Sequence, residues 1–94
     1  MVASSIVPIL SRRDEMVDIR EAADHAGRSD KTIKAWCRDH GIGHRCGPGG
    51  SYRVNAIALE MLIHGDLEAL ELLRRGDRTA ERVRLYFDHV GIAA

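Results

Sequence analysis

Apolar positions recur at helical spacing in five places along the chain, with short acceptors and glycines between them. Asp18 followed by Glu21 has the spacing of a capping box. Ile19, Ala22, Ala23 and Ala26 then repeat at helical intervals up to Gly27, which suits a helix C′ position. A second helix starts at once with Ser29 as N-cap. Its inner face is Ile33, Trp36, Cys37 and His40, its outer face Lys31, Lys34, Ala35 and Arg38, and Gly41 stops it. Five glycines and one proline lie between Gly41 and Gly50, so no helix persists there. Two short β-like pieces, Ile42–Arg45 and Ser51–Val54, flank Gly47-Pro48-Gly49-Gly50 as the tip of a small hairpin. Asn55 is the N-cap of a third helix, Ala56 to His64. Gly65-Asp66 and Gly76-Asp77 each end one helix and begin the next. The segment 67–75 carries Leu67, Leu70, Leu72 and Leu73, with Glu71 and Arg75 spaced for an i,i+4 pair. A last helix over roughly 78–90 puts Val83, Phe87 and Val90, with Tyr86, on one side.

The predicted fold is mainly α with a small β-hairpin: a winged helix-turn-helix followed by two short C-terminal helices. Residues 1–16 are expected to form a flexible arm, 17–64 the winged module, and 65–94 a helical extension of the same compact domain. With 94 residues, 45% hydrophobic and 30% charged, the chain has the balance of one small globular domain. So thin a core argues against a large enzyme fold with its own cofactor cleft, and no cofactor is expected. The apolar five, Ile6-Val7-Pro8-Ile9-Leu10, are too short and proline-broken for a signal or a membrane span. They could instead dock on a partner. Two cysteines make no disulfide framework, and a cytoplasmic, nucleoid-associated protein is expected.

Net charge is zero, from 14 basic and 14 acidic residues, but the charges are segregated. Residues 28–53 hold six basic side chains (Arg28, Lys31, Lys34, Arg38, Arg45, Arg53) and two acidic ones (Asp30, Asp39). The next segment, 54–72, has four acidic residues and no basic one. A surface attractive to phosphate can therefore coexist with a neutral total. A helix with ammonium and guanidinium groups on one stripe neutralises phosphates, and arginine suits paired acceptors on guanine.

The order helix, tight turn, basic helix, glycine-tipped hairpin, helix resembles the MerR-like and excisionase-type winged helix-turn-helix DNA-binding domains. The carriers are Glu21-Ala22-Ala23, Gly27-x-Ser29, Thr32-Ile33-Lys34-Ala35-Trp36, Gly41-Ile42 and Gly50-Ser51-Tyr52-Arg53-Val54. The resemblance implies that the second helix lies in the major groove and that the wing touches backbone or minor groove. It implies Ser29, Lys31, Thr32, Lys34 and Arg38 facing DNA, Arg45 and Arg53 at the base of the wing, and Trp36 locking the helix to the core. Two features depart from the pattern. The turn position that is usually apolar in these domains is Arg28, which is then more exposed or adds a phosphate contact. In place of a long dimerising helix stand two short helices split by Gly76-Asp77.

Other constellations point to less. Cys37, His40, His44 and Cys46 are zinc-capable, but C-x2-H-x3-H-x-C matches no familiar zinc motif, and no metal is expected. The Gly47–Gly50 loop lacks the Gly-Lys-Ser/Thr of a phosphate cradle. Five scattered histidines form no triad or dyad, so no enzyme is expected. The leading expectation is a sequence-specific double-stranded DNA-binding protein acting in mobile-element recombination or transcription control. One alternative is a phage DNA-packaging recognition protein like a terminase small subunit. The other is a protein–protein adapter that has lost DNA binding, which the acidic run and zero net charge favour. Expected partners beside double-stranded DNA are a second copy, through the Leu-rich segment 57–73, and a recombinase, polymerase or packaging ATPase. No membrane partner is expected.

Overall fold

The computed structural model describes residues 7–94. After a 3-10 turn at Arg13–Glu15, the elements are β1 (Met16–Asp18), α1 (Ile19–Ala26), α2 (Asp30–His40), β2 (Gly43–Arg45), β3 (Tyr52–Asn55), α3 (Ala56–Ile63), α4 (Leu67–Arg74) and α5 (Glu81–Val90). Five helices and a small three-stranded antiparallel sheet make a winged helix-turn-helix with two further helices. The local signals that set the helix boundaries act as expected. The Asp18 carboxylate accepts from the Glu21 N–H at 2.8 Å, and Glu21 reaches back to the Asp18 N–H at 3.3 Å. Gly27 ends α1 in the left-handed conformation, φ 68°, which a side chain would strain. Asn55 caps α3 through the Ala58 N–H at 2.9 Å, and Asp66 caps α4 through that of Ala69 at 3.0 Å.

The strand order is β1-β3-β2, so the hairpin's second strand is paired on both edges. Met16 pairs with Asn55 and Val17 with Val54 on one side; Gly43 pairs with Val54 and Arg45 with Tyr52 on the other. Gly43 is fixed by close approach: a Cβ there would lie 2.9 Å from both Cys37 Sγ and Val54 Cα. The core runs through α3, which packs against α1, α4 and α5. Its Ile57, Ala58, Leu59, Glu60 and Met61 are all buried, as befits a helix apolar nearly all round. Phe87 is the largest fully buried side chain, with Ile33, Ile42, Leu70 and Leu73 among those around it.

Four expectations need correction. Residues 1–6 of the expected flexible arm lie outside the described residues, but the part from Ile9 to Met16 is packed, not loose. Ile9 is buried in the chain's own core, its N–H donating to the Gly41 carbonyl at 3.4 Å, and Glu15 is fully buried, with Asn55 of β3 donating to Ser11 and to Glu15. Asp77 does not cap a helix. It accepts from the Thr79 and Ala80 N–H groups at 3.0 Å each, closing a turn, and α5 begins only at Glu81. Glu71 pairs with Arg74 at 3.0 Å rather than with Arg75. Trp36 is half-buried at the core's edge, not inside it.

Glu15 is the junction of arm, sheet and extension. Its carboxylate accepts from Arg78 Nη1 at 2.5 Å and Nη2 at 3.1 Å, from Arg12 Nε at 2.8 Å, and from Asn55 Nδ2 at 3.2 Å. Burial alone would raise its pKa. The hydrogen bonds from Arg78 and Arg12 and the Arg78 charge outweigh that and hold it below the usual value. Arg74, one turn earlier in the extension, donates at 2.5 Å to the His40 carbonyl in the last turn of α2. A cation there satisfies an orphan carbonyl and complements the helix dipole.

Candidate nucleic-acid interface

The turn before α2 sets the interface. After Gly27, Arg28 is exposed, and Ser29 caps α2 by accepting from the Thr32 N–H at 3.1 Å. The Ser29 hydroxyl also donates to Thr32 Oγ1 at 3.1 Å, so both hydroxyls are already engaged in the cap. Their part in any contact is to present the helix end and its free N–H groups, more than to offer side-chain atoms. Inward, Ile33 and Cys37 are buried one turn apart and hold the helix down. Lys31, Lys34 and Arg38 consequently lie on the exposed side, a stripe over about 11 Å at 1.5 Å per residue.

The hairpin adds to this stripe. Arg45 and Tyr52 are cross-strand partners, so their side chains leave the sheet on the same face. Lys34 Nζ and Arg45 Cζ each lie 5.5 Å from the centre of the Tyr52 ring. Attraction to the ring holds cations from helix and wing on one aromatic platform, without neutralising either. Arg53 is placed differently. It pairs with His44 and Asp18 on the opposite sheet face, where Arg53, His44, Arg13 and Cys46 line a shallow groove. The structure therefore brings Lys34 and Arg45 together and sets Arg53 apart. Tyr52 was not among the sequence candidates, although its strand alternation with Val54 was visible.

Ion pairing separates the two charged segments. Among the described residues Arg28, Lys31, Lys34, Arg45 and Arg53 have no carboxylate within 4.0 Å, and Arg38 has only its neighbour Asp39, at 3.3 Å. The acidic segment is instead answered internally. Asp66 pairs with Arg82 at 3.0 Å, Glu68 with Arg82 at 3.5 Å, and Glu71 with Arg74. Loss of solvation acts to raise the Asp66 pKa, but hydrogen bonds from the Ala69 N–H, Arg82 and Tyr86, with the Arg82 charge, together outweigh it and lower the pKa. Of the two segments, 28–53 thus keeps most of its basic side chains without an ion-pair partner among the described residues, with Asp30 the one acid among them also unpaired.

The Cys37, His40, His44 and Cys46 set does not assemble: Cys37 is buried against Gly43, and Cys46 is exposed at the hairpin's end. Among the described residues the His, Cys, Asp and Glu side chains close enough to share an ion are Glu60, His64 and His89. The Leu-rich segment lies mostly in the core: Ile57, Leu59, Met61, Leu70 and Leu73 are buried, and Leu67 faces solvent. Among the described residues no helix is long and apolar enough to cross a membrane.

A model of the helix-turn-helix domain matches residues 16–65, or 50 of the 94 residues, covering β1 through α3. Neither the curated proteins nor the solved structures give a match to this chain.

Proposed function

The chain belongs to the helix-turn-helix domain family, a DNA-binding family, and from that premise we propose that it is a sequence-specific double-stranded DNA-binding protein of excisionase or MerR-like type, acting in mobile-element recombination or transcription control. The observation that carries this reading is the exposed basic stripe of α2, joined to Arg45 of the wing through Tyr52. An anionic polymer supplies what that surface lacks, and releasing its counterions drives association. In this reading Lys31, Arg28 and Arg45 contact phosphates, and Lys34 and Arg38 reach base edges. Ser29 and Thr32 present the N-terminus of α2, and Arg53 meets backbone from the far face of the wing. A second copy bound beside the first, or a recombinase or polymerase partner, belongs to the same proposal. The adapter alternative rested on the acidic run and the zero net charge; the internal pairing of Asp66, Glu68 and Glu71 weighs against the first of these.

The test is duplex binding across a series of salt concentrations, using selected and random sequences. Affinity should fall with salt by about 0.9 log unit per log unit for each phosphate contacted, and selected sites should bind more tightly than random ones. Absence of binding to any duplex, or a slope near zero, would refute the reading.

A further inference from the structure

Away from the basic surface, three imidazoles converge on one carboxylate. Glu60 on α3 is 5% exposed. His64, which follows α3, and His89 on α5 aim Nε2 at the same oxygen, Oε2, at 3.0 and 3.3 Å. His25, in the last turn of α1, holds the other oxygen, Oε1, at 2.5 Å. The candidate ligand atoms of Glu60, His64 and His89 all lie within 4.8 Å of one another. The buried carboxylate needs donors, and the hydrogen bonds from His25 and His64 supply them; the third ring, His89, converging on Oε2 goes beyond that need. His64 and His89 are each more than half exposed, so water could satisfy them, and burial does not force either ring onto Oε2.

A tetrahedral ion with bonds of about 2.0–2.1 Å sets its ligand atoms about 3.3 Å apart, close to both observed separations. Two imidazoles and a carboxylate are a donor set that zinc accepts while keeping a position for water, and imidazole also suits nickel and copper. Room for that water exists in the adjoining groove of about 310 Å³, lined by Val17, Leu59, Val90 and the His25 and His89 rings. A hydrogen bond to the non-ligating oxygen, such as His25 supplies, is the usual way a carboxylate ligand is oriented.

We propose that Glu60, His64 and His89 form a binding site for one divalent transition-metal ion of the zinc class, with His25 orienting the carboxylate. The ion clamps α3 to α5 and, through His25, to α1. It thereby braces the packing that presents α2. No ligand belongs to α2 or the wing, so the site stands independently of the DNA reading.

The full chain, stripped of metal and carrying no purification tag, is titrated with Zn²⁺ by calorimetry and with Co²⁺ by visible absorption. One ion per chain is expected, with the strong visible bands of four-coordinate cobalt and a raised melting temperature in Zn²⁺. His64→Ala and His89→Ala should abolish all three, and His64→Gln serves if the alanine variant loses its helical signal. His25→Ala should weaken binding by about 10–100-fold. Uptake that is absent in the parent chain, or unchanged in both His64→Ala and His89→Ala, overturns the proposal. So does uptake lost only in Cys46→Ser, which would put the ion on the hairpin.

Discussion

Replacing Arg78 with methionine keeps an unbranched apolar stem and removes one charge from a buried pair. Arg78 makes two hydrogen bonds to Glu15, at 2.5 and 3.1 Å, and a third to the Leu10 carbonyl at 3.1 Å. Leaving a buried charge without its partner costs about 3–5 kcal/mol. Arg12 and Asn55 still hold the Glu15 carboxylate, and the Arg78 side chain is 24% exposed, so the cost belongs near 3 kcal/mol, the lower end of that range. A chain of this length has about 5–14 kcal/mol of total stability. At about 4–8 °C per kcal/mol, the melting temperature should fall by about 12–24 °C. Acid should shrink the difference. In the parent, the lowered pKa of Glu15 contributes stability above its unfolded value near 4.5, lost as pH falls through the folded value. In Arg78→Met that contribution is reduced to what Arg12 still supplies, and the carboxyl protonates more readily. Thermal melts followed by circular dichroism, at neutral pH and again in acid, measure both effects. A neutral-pH difference under about 4 °C, or one that is the same in acid, would refute the assignment of Glu15 and Arg78 as a coupled buried pair.

Three further outcomes are expected. Lys34→Ala and Arg38→Ala should each narrow the gap between selected and random duplex by about 1–3 kcal/mol, whereas Arg53→Ala, on the other sheet face, should weaken both alike; specificity lost in Arg53→Ala alone would move the reading surface from α2 to the wing. Burial pushes the Cys37 thiol up to about 11 while Cys46 is exposed, so a thiol reagent should titrate one cysteine per native chain and two in denaturant; rapid reaction of both in the native protein contradicts the packing of α2. Trp36→Ala should cost about 2–3 kcal/mol in a urea titration, less than the 3–5 of a fully buried aromatic, because Trp36 is half-exposed; an unfolded variant would show that the indole is buried after all.

Legibility from the sequence followed the range of each interaction. The caps of α1, α2, α3 and α4 depend on residues three apart, and Asp18, Ser29, Asn55 and Asp66 were all readable as they stand. The hairpin was readable because glycine and proline exclude the alternatives. Strand β1 was not: its three residues carry no alternation, and Met16 owes its conformation to Asn55, 39 positions away. The Gly-Asp pair at 76–77 looked like the one at 65–66, yet Arg78 is drawn toward Glu15 and the helix starts late. Of the candidate interface, the basic stripe was visible from periodicity alone. The separation of Arg53 from Lys34 and Arg45 needed the strand register, and the convergence of His25, His64 and His89 on Glu60 needed the packing of three helices.

The position of Phe87 has a consequence for how the chain is made. The recognisable helix-turn-helix segment ends at residue 65, but the largest buried side chain arrives 22 residues later, with Leu70, Leu73 and Val83 in between. Ribosomes add roughly 5–20 residues per second, so the basic surface would wait about 1–4 s for the hydrophobic residues that steady it. During that interval Ile33, Ile42 and Ile57 lack their full cover, and the nascent chain is at its most exposed to proteases and to its neighbours. A fragment cut at residue 65 should stay in that state permanently: it would keep every residue of the family match and lose the fold.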